Sequence, residues 1–111
     1  MKIEIGDYIR TCDGFIGKVK SIEPIEIGYN HYHFENTLVE KCDQDIMRVQ
    51  KRPIDLIMEG DYVNGGLVEQ VNYAYIIVAL PDYEEWQTIT NDDIKTIVTK
   101  EQFERMMYNV R

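Results

Sequence analysis

Gly60-Asp61-Tyr62-Val63-Asn64-Gly65-Gly66-Leu67-Val68 is a second copy of a pattern that opens the chain, Gly6-Asp7-Tyr8-Ile9 running through Asp13-Gly14 into Phe15-Ile16-Gly17-Lys18-Val19. The blocks also end alike: Asp45-Ile46-Met47-Arg48-Val49 is answered by Asp93-Ile94-Lys95-Thr96-Ile97. Self-similarity at a period of roughly 50 residues means that a small unit is used twice. In each copy Gly permits a sharp entry, Asp can bond the turn backbone, and the apolar residue after Tyr enters a core. Asp-Gly and Asn-Gly-Gly between β-prone runs are hairpin turns.

Working outward, Phe15–Ile22 reads as a strand ended by Pro24, with Gly17 at a bulge or close backbone contact. Residues 26–29 read as a turn. His31–Val39 alternates in the manner of a strand, and residues 46–49 form a short one. Ile54–Ile57 is a brief helical turn or an extended linker. In the second copy 67–72, 75–80, 86–90 and 94–98 read as strands. Tyr75–Leu80 is apolar and β-branched enough for a fully buried strand. Thr99 and Gln102 have capping-box spacing for a helix over Lys100–Met106, and Tyr108–Val110 can return as an edge strand. The expected fold is mainly β: two Src-homology-3-like small-barrel repeats, residues 1–57 and 58–111, sharing one core or holding two, with one short C-terminal helix.

Three segments resemble small proteins of Firmicutes phages and prophages. They are Ile54-Asp55-Leu56-Ile57-Met58-Glu59-Gly60-Asp61-Tyr62-Val63-Asn64-Gly65, the opening Ile5–Thr11, and Ile94–Phe103. They lie from end to end of the chain, while residues 24–52 depart from the pattern. The resemblance implies a phage-related origin and a β-rich fold. It carries no catalytic or binding residues.

The 111 residues are 44% hydrophobic and 29% charged, a globular composition. The net charge of −8 is uneven: residues 1–55 hold ten acids and eight bases, net −2, whereas 56–111 hold ten and four, net −6. Such a surface repels nucleic acid and anionic membranes and attracts basic partners. No apolar run approaches membrane-spanning length and no signal-peptide core opens the chain, so a bacterial cytoplasmic setting with Cys12 and Cys42 as free thiols is expected.

No phosphate loop, nucleophile elbow or metal-ligand motif is present, so an enzyme is not expected, nor a cofactor. His31 and His33 share a strand face and could ligate a metal with Cys42, Asp43 or Asp45. Without recognised ligand spacing they are read as structural, and no metal site is assigned. Asp43 with Asp45, and Asp92 with Asp93, are read as turn residues rather than a magnesium site. The expected partner surface is the acidic stretch Asp82, Tyr83, Glu84, Glu85, Asp92 and Asp93. Trp86 beside it is read as a core residue, as large aromatics usually are.

These features point to a non-catalytic phage-type binding protein. Its expected role is that of a host-defence antagonist, anti-CRISPR-like, that contacts a host protein such as a nucleic-acid-binding defence protein. Two alternatives stay open: a small-molecule or nucleotide-signal sequestering protein using Arg10, Lys18 or Arg48 near Tyr8 and Tyr32, and a structural phage component. The expected assembly is a monomer or a weak homodimer paired at Tyr108–Val110.

Overall fold

The computed structural model describes residues 2–80 and 85–106, and the chain divides into two units, residues 1–52 and 53–111. The division falls five residues ahead of the 57/58 boundary expected from the sequence, because Ile54 and Ile57 pack into the core of the second unit.

The first unit contains β1 (Tyr8–Thr11), β2 (Ile16–Glu26), β3 (Tyr29–Phe34), β4 (Glu40–Cys42), a 3₁₀ turn (Asp43–Asp45) and β5 (Ile46–Gln50). They make an antiparallel sheet in the order β4-β3-β2-β1-β5. Ile9, Val19, Tyr32 and Phe34 form its buried core, flanked by Ile3, Phe15, Ile22, Ile46 and Val49. Gly17 is where β2 crosses this core: a Cβ there would stand 2.7 Å from the Phe15 ring and 2.8 Å from that of Phe34.

The second unit begins with a 3₁₀ turn (Pro53–Leu56). It continues through β6 (Tyr62–Val63), β7 (Gly66–Val71), β8 (Tyr75–Ala79), β9 (Trp86–Thr90), a 3₁₀ turn (Asn91–Asp93), β10 (Ile97–Val98) and α1 (Lys100–Met106). Its sheet order is β10-β6-β7-β8-β9. Element for element this is the order of the first unit. The core is Ile54, Ile57, Val63, Val68, Ile76, Val78 and Ile89.

The duplication extends to single hydrogen bonds. Gly6 N–H donates to the Val19 carbonyl at 2.9 Å and Val19 N–H to that of Asp7 at 2.8 Å; Gly60 donates to Val68 at 3.1 Å and Val68 to Asp61 at 2.8 Å. Gly6 and Gly60 have φ of 95° and 94°, a left-handed conformation that glycine adopts without penalty. The buried Asp7 carboxylate accepts the Glu4 N–H at 2.9 Å, as Asp61 accepts that of Met58 at 2.7 Å. Further on, Asp45 Oδ2 accepts the Cys42 N–H and Asp93 Oδ2 the Thr90 hydroxyl, closing the same 3₁₀ turn in both units.

Several expectations are corrected. Pro24 does not end β2, which runs to Glu26. Pro24 lies beyond the residues that β1 pairs, next to a register shift on the β3 side, where a missing N–H is tolerated. β3 stops at Phe34 rather than Val39, and the last strand of the second unit spans only Ile97–Val98. β8 is not buried on both faces: Ile76 and Val78 are buried while Tyr75 is exposed. No closed barrel forms among the described residues. The capping box is as expected, with Thr99 N–H on Gln102 Oε1 at 3.1 Å and Gln102 N–H on Thr99 Oγ1 at 3.3 Å. The edge strand expected at Tyr108–Val110 lies outside the described residues. No helix among the described residues is long and apolar enough to cross a membrane.

Candidate functional site

The acidic stretch expected to bind a partner centres on β9, the end strand of the second sheet. Asp82, Tyr83 and Glu84 lie outside the described residues. Glu85 is exposed immediately before β9, and Asp92 and Asp93 are exposed in the 3₁₀ turn after it. At about 3.3 Å per residue, the strand separates Glu85 from Asp92 by roughly 20 Å. These carboxylates therefore flank an edge instead of converging on one point. Asp93 also does turn duty: its carboxylate accepts the Thr90 hydroxyl and its carbonyl accepts Asn64 Nδ2, both at 2.8 Å.

Trp86 is not a core residue. It is 72% exposed. In the β8–β9 ladder Ile89 pairs with Ile76 and Gln87 with Val78, which puts Ile89 inward and Trp86, opposite Ala79, on the outer face. Trp86, Glu85, Gln87 and Leu80 line an open depression at one end of β9, and Gln87, Thr88, Asp93 and Lys95 line another along it. The odd spacing of Trp86 and Ile89 was the available signal, since residues three apart face opposite sides of a strand.

In the first unit, the ligands suggested for the histidines are engaged elsewhere. Asp43 accepts Tyr32 Oη at 2.5 Å and the Asn30 N–H at 2.8 Å. Burial first, then this carboxylate, pushes the Tyr32 phenol above its usual range. Asp45 accepts the Cys42 N–H at 3.0 Å and its thiol at 3.1 Å, and these bonds hold its carboxyl below the usual range. Cys12 and Cys42 are free thiols.

Two glutamates take their place. His31 and His33 lie on one face of β3, with Glu23 opposite His31 on β2 and Glu40 opposite His33 on β4. The side-chain contacts run diagonally: His33 Nε2 stands 3.5 Å from Glu23 Oε1, and His31 Nδ1 contacts Glu40 Oε1. Ligand atoms of Glu23, His33 and Glu40 all lie within 4.8 Å of one another. Sequence reasoning found the histidines but missed the glutamates, because cross-strand register is set by the Ile27-Gly28 hairpin and by the connection after Phe34.

Of the groups considered for a nucleotide, Arg10 and Arg48 are opposite each other on β1 and β5, and Lys18 is opposite Tyr8 on β2. Arg10 is fully buried, Lys18 lies over the Tyr8 ring and pairs with Glu35, and Tyr32 lines a depression with Asp43. No family model matches the chain, and comparison with curated proteins and with solved structures gives no match.

Proposed function

We propose that this chain is a non-catalytic binding protein of phage type that antagonises a host defence by protein contact in the bacterial cytoplasm. Its two units are of the Src-homology-3 kind: in each the fifth strand returns beside the first through a 3₁₀ turn. The observation that carries the reading is the 72% exposure of Trp86 on an end strand flanked by Glu85, Asp92 and Asp93. An exposed tryptophan is a typical interface anchor, and its large apolar surface is costly to leave in water. The acidic flanks select a basic partner such as a nucleic-acid-binding defence protein, and steer its approach. The outer edge of β9 adds main-chain groups on which a partner strand can pair.

The test is phage plaquing on bacteria that carry a defence system, with the chain expressed in the same cells. The wild-type chain should restore plaquing, whereas Trp86→Ala and the triple change Glu85→Lys, Asp92→Lys, Asp93→Lys should not. Folded variants that restore plaquing as well as wild type would overturn the reading.

A further inference from the structure

We propose that the outer face of β2, β3 and β4 is a binding site for one divalent transition-metal ion of the zinc class, with Glu23, His31, His33 and Glu40 as its ligands. The four residues come from three adjacent strands, so an ion held there would staple the outer half of the first sheet.

The geometry is close to what such an ion needs. With bonds of about 2.1 Å, tetrahedral ligand atoms stand about 3.4 Å apart. His33 Nε2 and Glu23 Oε1 are already 3.5 Å apart, and Glu40 lies within 4.8 Å of both while touching His31. His31 lies outside the three whose ligand atoms come within 4.8 Å of one another and would have to turn in beside Glu40 to join them; the glutamate side chains are 58% and 43% exposed, so an ion has access from solvent. Two imidazoles with two carboxylates suit zinc and its neighbours, whereas magnesium and calcium prefer oxygen alone. Among the described residues no lysine or arginine pairs with Glu23 or Glu40; the side chains they meet are the imidazoles. Two carboxylates drawn together without a fixed positive charge repel, and a cation removes that cost. Tyr29 packs edge-on against His31 with ring centroids 5.5 Å apart, which helps hold that imidazole.

The duplicated unit supplies an internal control. In the second unit the matching register positions carry Asn72 for Glu23, Tyr75 for His31, Ile77 for His33 and Thr88 for Glu40. The same ladder forms with no ligand among them. The cluster is therefore not something the fold requires, and residues known to suit those positions are available for its removal.

The experiment uses the full chain, free of any affinity tag and stripped with chelator, titrated calorimetrically with Zn²⁺ alone and followed by visible absorption with Co²⁺. One ion should bind per chain, Co²⁺ should give four-coordinate bands, and Zn²⁺ should raise the melting temperature. Loss of an outer-shell partner costs roughly 10–100-fold in metal affinity, so removing a direct ligand should cost at least that. His33→Gln should meet this bound, and the transplant Glu23→Asn, His31→Tyr, His33→Ile, Glu40→Thr should abolish binding while keeping the far-ultraviolet dichroism. Absence of Zn²⁺ binding, unchanged affinity in His33→Gln, or displacement of the ion by millimolar Mg²⁺ would each overturn the proposal.

Discussion

Replacing Asp61 with alanine should destabilise the second unit more than any other single carboxylate change in the two Gly-Asp-Tyr turns. Asp61 is fully buried and accepts two backbone N–H groups, that of Met58 at 2.7 Å and that of Lys100 at 2.9 Å. Each hydrogen bond to a charged acceptor contributes about 1.5–3 kcal/mol, so Asp61→Ala should cost about 3–6 kcal/mol. The Lys100 N–H opens α1, whose Phe103 stacks on Tyr62 with centroids 4.8 Å apart, so the helix should fray as well. Asp7 is the matched comparison. It accepts one backbone N–H, and its other partner is the Lys51 ammonium at 2.5 Å, whose side chain is 71% exposed. An exposed ammonium adds only about 0–1 kcal/mol, so Asp7→Ala should cost about half as much. At about 4–8 °C per kcal/mol, Asp61→Ala should lower the melting temperature by at least about 12 °C. Urea unfolding followed by the NMR signals of Ile76 and Val78 reads the right unit, because both are buried in its core. A cost for Asp61→Ala below about 1 kcal/mol, or a larger cost for Asp7→Ala, would refute the assignment of the carboxylate as the turn's anchor.

Two further outcomes are expected. Gly17→Ala drives a methyl into the rings of Phe15 and the buried Phe34, and such overpacking should cost about 1–3 kcal/mol in a thermal melt. Acid should destabilise the first unit progressively as pH falls below about 4. Burial alone would raise the Asp7 carboxyl, but the Lys51 ammonium and the Glu4 N–H outweigh it, and Thr11 with Lys41 lowers that of Asp13. A depressed carboxyl stabilises the fold above its unfolded value near 3.9, and that stability is lost as pH falls through the folded value. Urea resistance of that unit, followed by the NMR signals of Val19 and Phe34, that is equal at pH 7 and pH 3 would contradict this.

The mainly β character and the repeated turn were legible because the Gly-Asp-Tyr turn is local: its glycine conformation, its carboxylate and its hairpin all lie within about a dozen residues. The 3₁₀ turns at Asp43–Asp45 and Asn91–Asp93 were legible for the same reason. What escaped depends on pairing between strands. Pro24 survives in β2 because of what β1 does not reach, Trp86 faces outward because Ile89 faces in, and Glu23 meets His33 only through the β2–β3 register. Only the odd Trp86–Ile89 spacing can be read within one strand, and it does not say which of the two residues faces in.

The claim that this chain works by contact through the β9 edge is tested most directly by Trp86 itself. In the free protein its fluorescence should be quenched by neutral acrylamide almost as readily as that of free tryptophan. With a defence complex against which the chain restores plaquing, quenching should fall sharply as the partner covers the ring. Quenching that stays unchanged at saturating partner, with the complex confirmed by co-sedimentation, would show that the contact lies elsewhere.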